Sequence, residues 1–340
     1  MRLICSFACL LALAGLGGCG QAADTARDTL TLGVYTVPKE VYQRELIPAF
    51  QRRWKEETGR DLHVQQSYMA SGAQSRAIAQ GFEADIAALS LEADVERLRD
   101  AGLISHDWRS RDHGGFVTRS LVVMAVRPDN PRQIRDWDDL TNPHIEVLYP
   151  SPKTSGGAMW VVNAIYGSRL KMSAGESGQP DPAAAKKFLA AVQSRVRVMN
   201  KSGRESVTAF ESGVGDVLLT YENEALLRQK QGKAFPFIIP DATILIENPI
   251  ALVDANVDRH NNREVAEAFL RYIHSPEAQR IFARYGFRPV DPQVTAEFAE
   301  MYPQPAQLFD IQYLGGWNAA IDLLYSSRGI WTQIFERNGD

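Results

Sequence analysis

Three times in this 340-residue chain an apolar run hands over to an amphipathic one through a short cluster of small polar residues. The clusters are Ala70-Ser71-Gly72, Thr154-Ser155-Gly156-Gly157 and Lys201-Ser202-Gly203-Arg204. Around the central cluster, residues 145–149 read as a buried strand and residues 158–166 as a helix. A strand, a turn without bulk and a helix start together make an anion trap. The first N–H groups of a helix have no internal partner, and the helix dipole adds partial positive charge at the same place. Gly156 and Gly157 carry no Cβ, so a ligand can approach the backbone closely. One such turn alone also reads as ordinary helix capping. Three of them, each off the carboxyl end of a strand, read as a ligand cleft.

The rest of the chain supplies the sheet. Strands are expected at residues 29–35, 62–67, 84–89, 120–127, 195–199, 215–221 and 235–239, besides 145–149. Helices are expected at 41–58, 70–80, 93–100, 183–194, 207–211 and 222–230, besides 158–166, with a short one at 135–140. Gly59 signals the end of the first. Residues 175–182, rich in Gly, Ser and Pro, read as a loop. Residues 241–254 form one extended run with Pro249 inside it, and the C-terminal third is helical at 263–274, 276–285 and 315–326. Strand and helix alternate, so the sheet should be mostly parallel. There is no internal repeat.

A chain that is 45% hydrophobic and 23% charged, with formal net charge −4, suits a soluble globular protein and argues against a nucleic-acid partner. Any anion must be held by local dipoles. Residues 1–19 read as a targeting segment: Arg2, then an apolar stretch too short to span a bilayer, then Leu16-Gly-Gly-Cys19. That ending resembles the lipobox of bacterial lipoproteins, so Cys19 would carry the lipid and residues 20–28 would be a tether. The alternative is an ordinary signal cut near Ala22 or Ala23. All three cysteines, Cys5, Cys9 and Cys19, fall in this segment, so no disulfide and no Cys-ligated metal is expected in the mature body. The six histidines are scattered without ligand spacing, and neither metal nor cofactor is expected.

The donors at the turns imply a kind of ligand. Fully ionised sulfate has acceptors only, so neutral N–H groups and the Ser71 and Ser155 hydroxyls suit it. Hydrogen phosphate carries a proton and wants an acceptor, and a mismatched buried group costs ~1–3 kcal/mol.

At this point the residues carry a family resemblance. Ser71-Gly72-Ala-Gln74, Gly81-Phe-Glu-Ala-Asp85, Asp136-Trp-Asp-Asp-Leu140 and Pro152-Lys-Thr-Ser-Gly-Gly157 are part of it. Gly215-Asp-Val-Leu218, Glu222-Asn-Glu224, Ser275-Pro-Glu277, Arg288-Pro289 and Gly315-Gly-Trp317 complete it. Over nearly all of the mature chain it resembles the sulfate- and thiosulfate-binding proteins of bacterial ABC importers.

The resemblance implies an α/β, two-lobe, periplasmic-binding-protein-like fold of type II with two crossing segments. Lobe 1 would be residues 29–118 plus 241–340, and lobe 2 residues 119–240. Hinge closure would bury the ligand. It implies a monomeric, extracytoplasmic protein, tied to the membrane only by its lipid, that serves an importer's permease and ATPase. The implied ligand is sulfate or, alternatively, thiosulfate, with phosphate and molybdate as further tetrahedral oxyanions. The implied contacts are Ser71, Ser155, Gly156, Gly157 and Gly203, with Tyr221 at the family's tryptophan position. The family's early Tyr-Asp-Pro-Thr-Arg-Glu-Leu reads Tyr35-Thr-Val-Pro-Lys-Glu-Val41 here, and Glu205 stands at a usual glycine. Tyr35 and Arg204 are placed just behind the contacts.

Blander readings stand beside these. Arg204 either biases the third turn or pairs with Glu205 on the surface. Glu205 either accepts a proton in the pocket or, the favoured reading, faces water as a first-turn residue. Trp137, Trp160 and Trp317 read as packing residues. An enzyme is also weighed, because Ser168-Arg-Leu-Lys171 satisfies Ser-x-x-Lys and Lys153-Thr-Ser-Gly156 is similar to the Lys-Thr-Gly of penicillin-recognising enzymes. The order is wrong, Ser-Asp-Asn is missing, and Ser168 is expected to be solvent-exposed at a helix end. A structural envelope lipoprotein with an idle cleft is the remaining competitor.

Overall fold

The structure, a computed structural model, describes residues 27–337. The targeting segment, Cys19 and most of the tether lie outside the described residues. The strands are β1 (Arg27–Tyr35), β2 (Asp61–Met69), β3 (Ile86–Ala88), β4 (Phe116–Val126), β5 (Val147–Leu148), β6 (Val196–Val198), β7 (Val217–Tyr221), β8 (Phe237–Ile238), β9 (Ala242–Leu252) and β10 (Gln307–Phe309). The helices are α1 (Lys39–Val41), α2 (Ile47–Thr58), α3 (Ser71–Ala79), α4 (Glu92–Asp100), α5 (Gly156–Ser177), α6 (Pro182–Gln193), α7 (Gly203–Glu211) and α8 (Glu222–Lys230). They continue as α9 (Asp254–His260), α10 (Arg263–Ile273), α11 (Pro276–Arg284), α12 (Pro292–Glu297), α13 (Gly316–Ala320) and α14 (Ile330–Arg337). The tether is shorter than expected, because Asp28 is already in β1 and accepts the Trp54 indole N–H at 2.7 Å.

The sheet runs β2-β1-β3-β9-β4-β7-β5-β6, with β10 on β9 and β8 on β4. β1 pairs in parallel with β2 and β3, and β5 in parallel with β6 and β7, as alternating strands and helices require. β4 and β9 are different. Each is 11 residues long, and they run antiparallel to one another. β9 starts beside β10, pairs with β4 through Leu245–Pro249, and ends against β3. β4 leaves β9 and pairs with β7 through Val122–Val126. Each long strand therefore begins in one half of the sheet and ends in the other. These are the two crossings of a two-lobed α/β fold. Pro249 has no N–H to give; it lies opposite Phe116 where the β4–β9 register shifts.

Local packing aims the helices. Leu30, Leu32 and Val34 of β1 are fully buried. A Cβ on Gly33 would meet the Ile78 Cδ1 at 2.9 Å, so α3 lies hard against β1 and starts at the strand's carboxyl end. Gly59 ends α2 at φ 72°, as its sequence position indicates.

Two expectations need correction. The helix expected to end at Tyr166 continues to Ser177 and stops at Gly178, φ 77°. The glycine inside it, Gly167, is a packing position, where a Cβ would stand 2.5 Å from the Phe309 ring. Ser168 is accordingly buried, not exposed, and its hydroxyl donates to the Ile165 carbonyl at 3.0 Å. That removes it as a nucleophile on firmer grounds than motif order. The C-terminal stretch packs on the same helix. Phe309 packs on Gly167, the Tyr325 hydroxyl donates to Met159 O and Asn163 Oδ1 at 2.9 and 2.8 Å, and the Trp331 indole donates to the Tyr149 hydroxyl at 3.2 Å. The stretch from Gln307 to Arg337 thus covers α5 and β5, while α13 also touches α4 in the β1–β2–β3 half.

Candidate functional site

The carboxyl ends of β1, β3, β5 and β7 converge on a cavity of about 20 Å³. That exceeds the ~10–15 Å³ one water needs and leaves room for a compact group only. Tyr35 closes β1, Ser90 follows β3, Pro150 follows β5 and Tyr221 closes β7; all four line it. Ser71, Ser155, Gly157 and Gly203 bring in the starts of α3, α5 and α7. None of the lining residues carries a charge.

The three turns touch one another. A Cβ on Gly72 would lie 3.2 Å from the Thr154 carbonyl oxygen, and the Thr154 hydroxyl donates to the Lys201 carbonyl at 2.7 Å. Gly156, expected as a contact, does not line the cavity. A Cβ there would stand 2.8 Å from Leu91 Cγ and 2.9 Å from Ser90 Oγ, so its smallness lets α5 approach the segment after β3. Gly157 is the glycine whose backbone borders the space.

The capping question is decided turn by turn. At α5 the Ser155 hydroxyl caps nothing, although Ser155 is the N-cap residue. At α3 the Ser71 hydroxyl donates to Asp94 Oδ2 at 2.6 Å and accepts the Ser90 N–H at 2.9 Å. It has no proton left for a ligand, so Ser71 offers only its backbone N–H, a correction to the expected hydroxyl donor. Arg97 Nη1 balances that Asp94 at 2.6 Å. At α7 ordinary capping holds: Ser202 Oγ accepts the Glu205 N–H, and the Glu205 carboxylate accepts the Lys201 N–H at 3.1 Å. Glu205 is exposed, in its bland role.

Arg204 fits neither expected reading. Its guanidinium forks onto Glu40 at 2.6 and 2.8 Å, donates to the Val37 carbonyl at 3.0 Å and lies 3.1 Å from Glu224. Burial works against its charge, but Glu224 and Glu40 outweigh burial and hold its pKa above normal.

Ser90 is the junction that sequence reasoning missed. Its hydroxyl shares a 2.6 Å hydrogen bond with the Tyr221 hydroxyl. Its carbonyl accepts the Trp160 indole N–H at 2.9 Å and the Asn248 amide at 3.1 Å. Thr118 of β4 donates to Asn248 of β9 at 3.1 Å, which ties both crossing strands to this point. Trp160 stacks edge-on against Trp317, ring centres 4.7 Å apart. The Tyr35 hydroxyl is buried with no hydrogen-bond partner among the described residues. Burial, reinforced by Tyr221, pushes the Tyr35 phenol far up; burial does the same to Tyr221 against the pull of Ser90. Both phenols stay protonated and neutral.

Among the described residues no group of His, Cys, Asp and Glu is arranged to hold a metal ion. No described helix is long and apolar enough to cross a membrane.

A compact cavity closed between two lobes, with helix starts and hydroxyls facing inward from both, defines a ligand-trapping binding protein of the type II arrangement. The chain belongs to the bacterial extracellular solute-binding proteins, whose family model matches residues 30–288. It is 40% identical to a sulfate-binding protein of Synechocystis over 325 residues, covering 95% of this chain and 90% of that one. It is 33% identical to a thiosulfate-binding protein of Pseudomonas aeruginosa, covering 98% of this chain and 99% of the other. Among solved structures, the sulfate-binding protein SubI of Mycobacterium tuberculosis matches with a TM-score of 0.79 at 39% identity, covering 88% of this chain and all of that one.

Proposed function

We propose that the protein captures sulfate outside the cytoplasm and hands it to an ABC importer. The observation that carries this reading is the uncharged cavity: neutral donors reach it from both halves of the sheet, and no carboxylate lines it to repel a dianion. Backbone N–H groups at the starts of α3, α5 and α7, the Ser155 hydroxyl and the phenol of Tyr35 supply donors. A fully ionised tetrahedral anion supplies only acceptors, so the two sets match. Thiosulfate is the second reading, favoured by the likeness to the Pseudomonas protein.

The ligand contacts in this reading are Ser71 through its N–H, Ser155, Gly157, Gly203 and Tyr221, with Tyr35 joining them. Gly156 and Arg204 serve closure. Lobe 1 comprises residues 29–118 and 241–306, and lobe 2 comprises residues 119–240 with the stretch from 307 onward. The chain works as a monomer and not as an enzyme, and Cys19 carries the lipid that holds it at the membrane.

Side-by-side calorimetric titration with sulfate, thiosulfate, phosphate and molybdate tests the ligand. Sulfate at a hundredfold its Kd should stabilise the fold by ~2.7 kcal/mol. No heat and no stabilisation with sulfate or thiosulfate would end the reading. Mass spectrometry of the mature N-terminus tests the lipid: a diacylated cysteine supports it, and a free amine at residue 23 or 24 overturns it.

A further inference from the structure

We propose that Ser90 and Tyr221 act as one shared donor to the bound anion, a pair that supplies a single O–H from whichever partner is free. This rests on the anion reading of the cavity. Ser90 belongs to the half built on β1 and β3, and Tyr221 to the half built on β7, so their 2.6 Å hydrogen bond spans the cleft. Both residues line the cavity, and both are nearly or fully buried.

The proton count defines what the pair can do. Two hydroxyls own two protons, and one proton lies in the bond between them. If Tyr221 donates, the Ser90 O–H is left over; if Ser90 donates, the Tyr221 O–H is left over. Either way one proton faces the ligand and one closes the gap between lobes. Burial keeps the phenol protonated. The rest of Ser90 is fixed independently of its hydroxyl: its N–H goes to Ser71, and its carbonyl is held by Trp160 and Asn248. Removing the hydroxyl therefore leaves the backbone of residue 90 in place.

The consequence is redundancy. Ser90→Ala frees the Tyr221 proton for the ligand, and Tyr221→Phe frees the Ser90 proton. Each single variant still offers one O–H, and only the double variant offers none. Losing a hydrogen bond to a charged group weakens binding by roughly ten- to a hundredfold.

The test is a double-mutant cycle by calorimetry with sulfate and with thiosulfate, using wild type, S90A, Y221F and S90A/Y221F. Melting temperature and circular dichroism of each ligand-free variant check that it folds. Each single loses the bond between lobes but keeps one O–H, so it should bind up to about tenfold more weakly than wild type, and a double at least a further tenfold weaker than either single supports the shared donor. A double no weaker than either single overturns it. That outcome leaves the anion reading intact, because wild-type binding is measured alongside. A wild type that binds neither anion overturns both.

Discussion

Arg204 reaches across the cleft to Glu40 and holds it with two parallel hydrogen bonds of 2.6 and 2.8 Å. Arg204 is the second residue of α7 and Glu40 lies in α1, so the pair joins the two halves of the sheet just outside the cavity. It is only partly exposed, at 23% and 22% of each side chain, and is therefore less screened than a surface pair. Opening of the cleft would separate it, while Glu224, 3.1 Å from Arg204, would stay with it.

Glu40→Gln should thus weaken ligand binding by about 1–2 kcal/mol, roughly tenfold, by favouring the open state. The ligand-free melting temperature should move by no more than a few degrees. Calorimetry and small-angle scattering check this, and an unchanged Kd would show that the pair takes no part in closure.

Gly156→Ala gives a sharper separation of binding from stability. Alanine is favoured over glycine inside a helix by up to ~1 kcal/mol, and Gly156 has no positive φ to lose. The new methyl would nevertheless collide with Leu91 and Ser90 once the lobes close. The ligand-free protein should melt at the same temperature or higher, while affinity falls at least tenfold. Retained affinity would mean that the gap opens without cost.

Two serines should respond in opposite ways. Ser155→Ala removes a hydroxyl that caps nothing, so it should leave the ligand-free melting temperature alone and weaken binding about tenfold or more. Ser71→Ala leaves Asp94 and the Ser90 N–H without their partner, so it should destabilise the fold by ~1–3 kcal/mol even without ligand. Thermal melts with and without sulfate distinguish the two.

Away from the site, Asp254 should govern acid stability. Burial acts to raise its pKa, but His106, the Ser105 N–H and Arg263 overcome that and bring it down to about 2 from 3.8. Its stabilisation is fully present above pH 3.8 and disappears as the pH falls through about 2. At neutral pH that amounts to about 2 kcal/mol. His260 works in the other direction. Asp85 and Glu83 outweigh burial and raise its pKa above 6.5, so its contribution is present below pH 6.5 and is lost as the pH rises through the folded value. Urea unfolding of wild type and Asp254→Asn from pH 2 to 7 should give curves that converge at the acid end.

Much of this was legible in the residues. Alternating apolar and polar residues mark β1, an unbroken extended run marks the long β9, and Gly59 marks the end of α2, because these signals are local. The α5 helix misleads because Gly167 looks like a stop and is instead the seat for Phe309, a contact about 140 residues distant in sequence. The return of the C-terminus onto α5 depends on the same remote contact. Asp291-Pro292 carries the signal of α12, a helix missing from the expected set: Asp291 accepts the Val294 N–H at 2.9 Å. At the site, the small residues of the three turns are visible as a pattern, but what each hydroxyl bonds to is not. Asp94, which takes the Ser71 proton, lies 23 positions further along the chain. Ser90 had one signal, its place just after a strand at the carboxyl edge of the sheet.

The uncharged lining of the cavity has a consequence for the conditions under which the protein works. Its two phenols are held far above any habitable pH, and the remaining donors do not ionise. Acid or alkaline surroundings therefore leave the donors that line the cavity unchanged and act there through the solute's own charge.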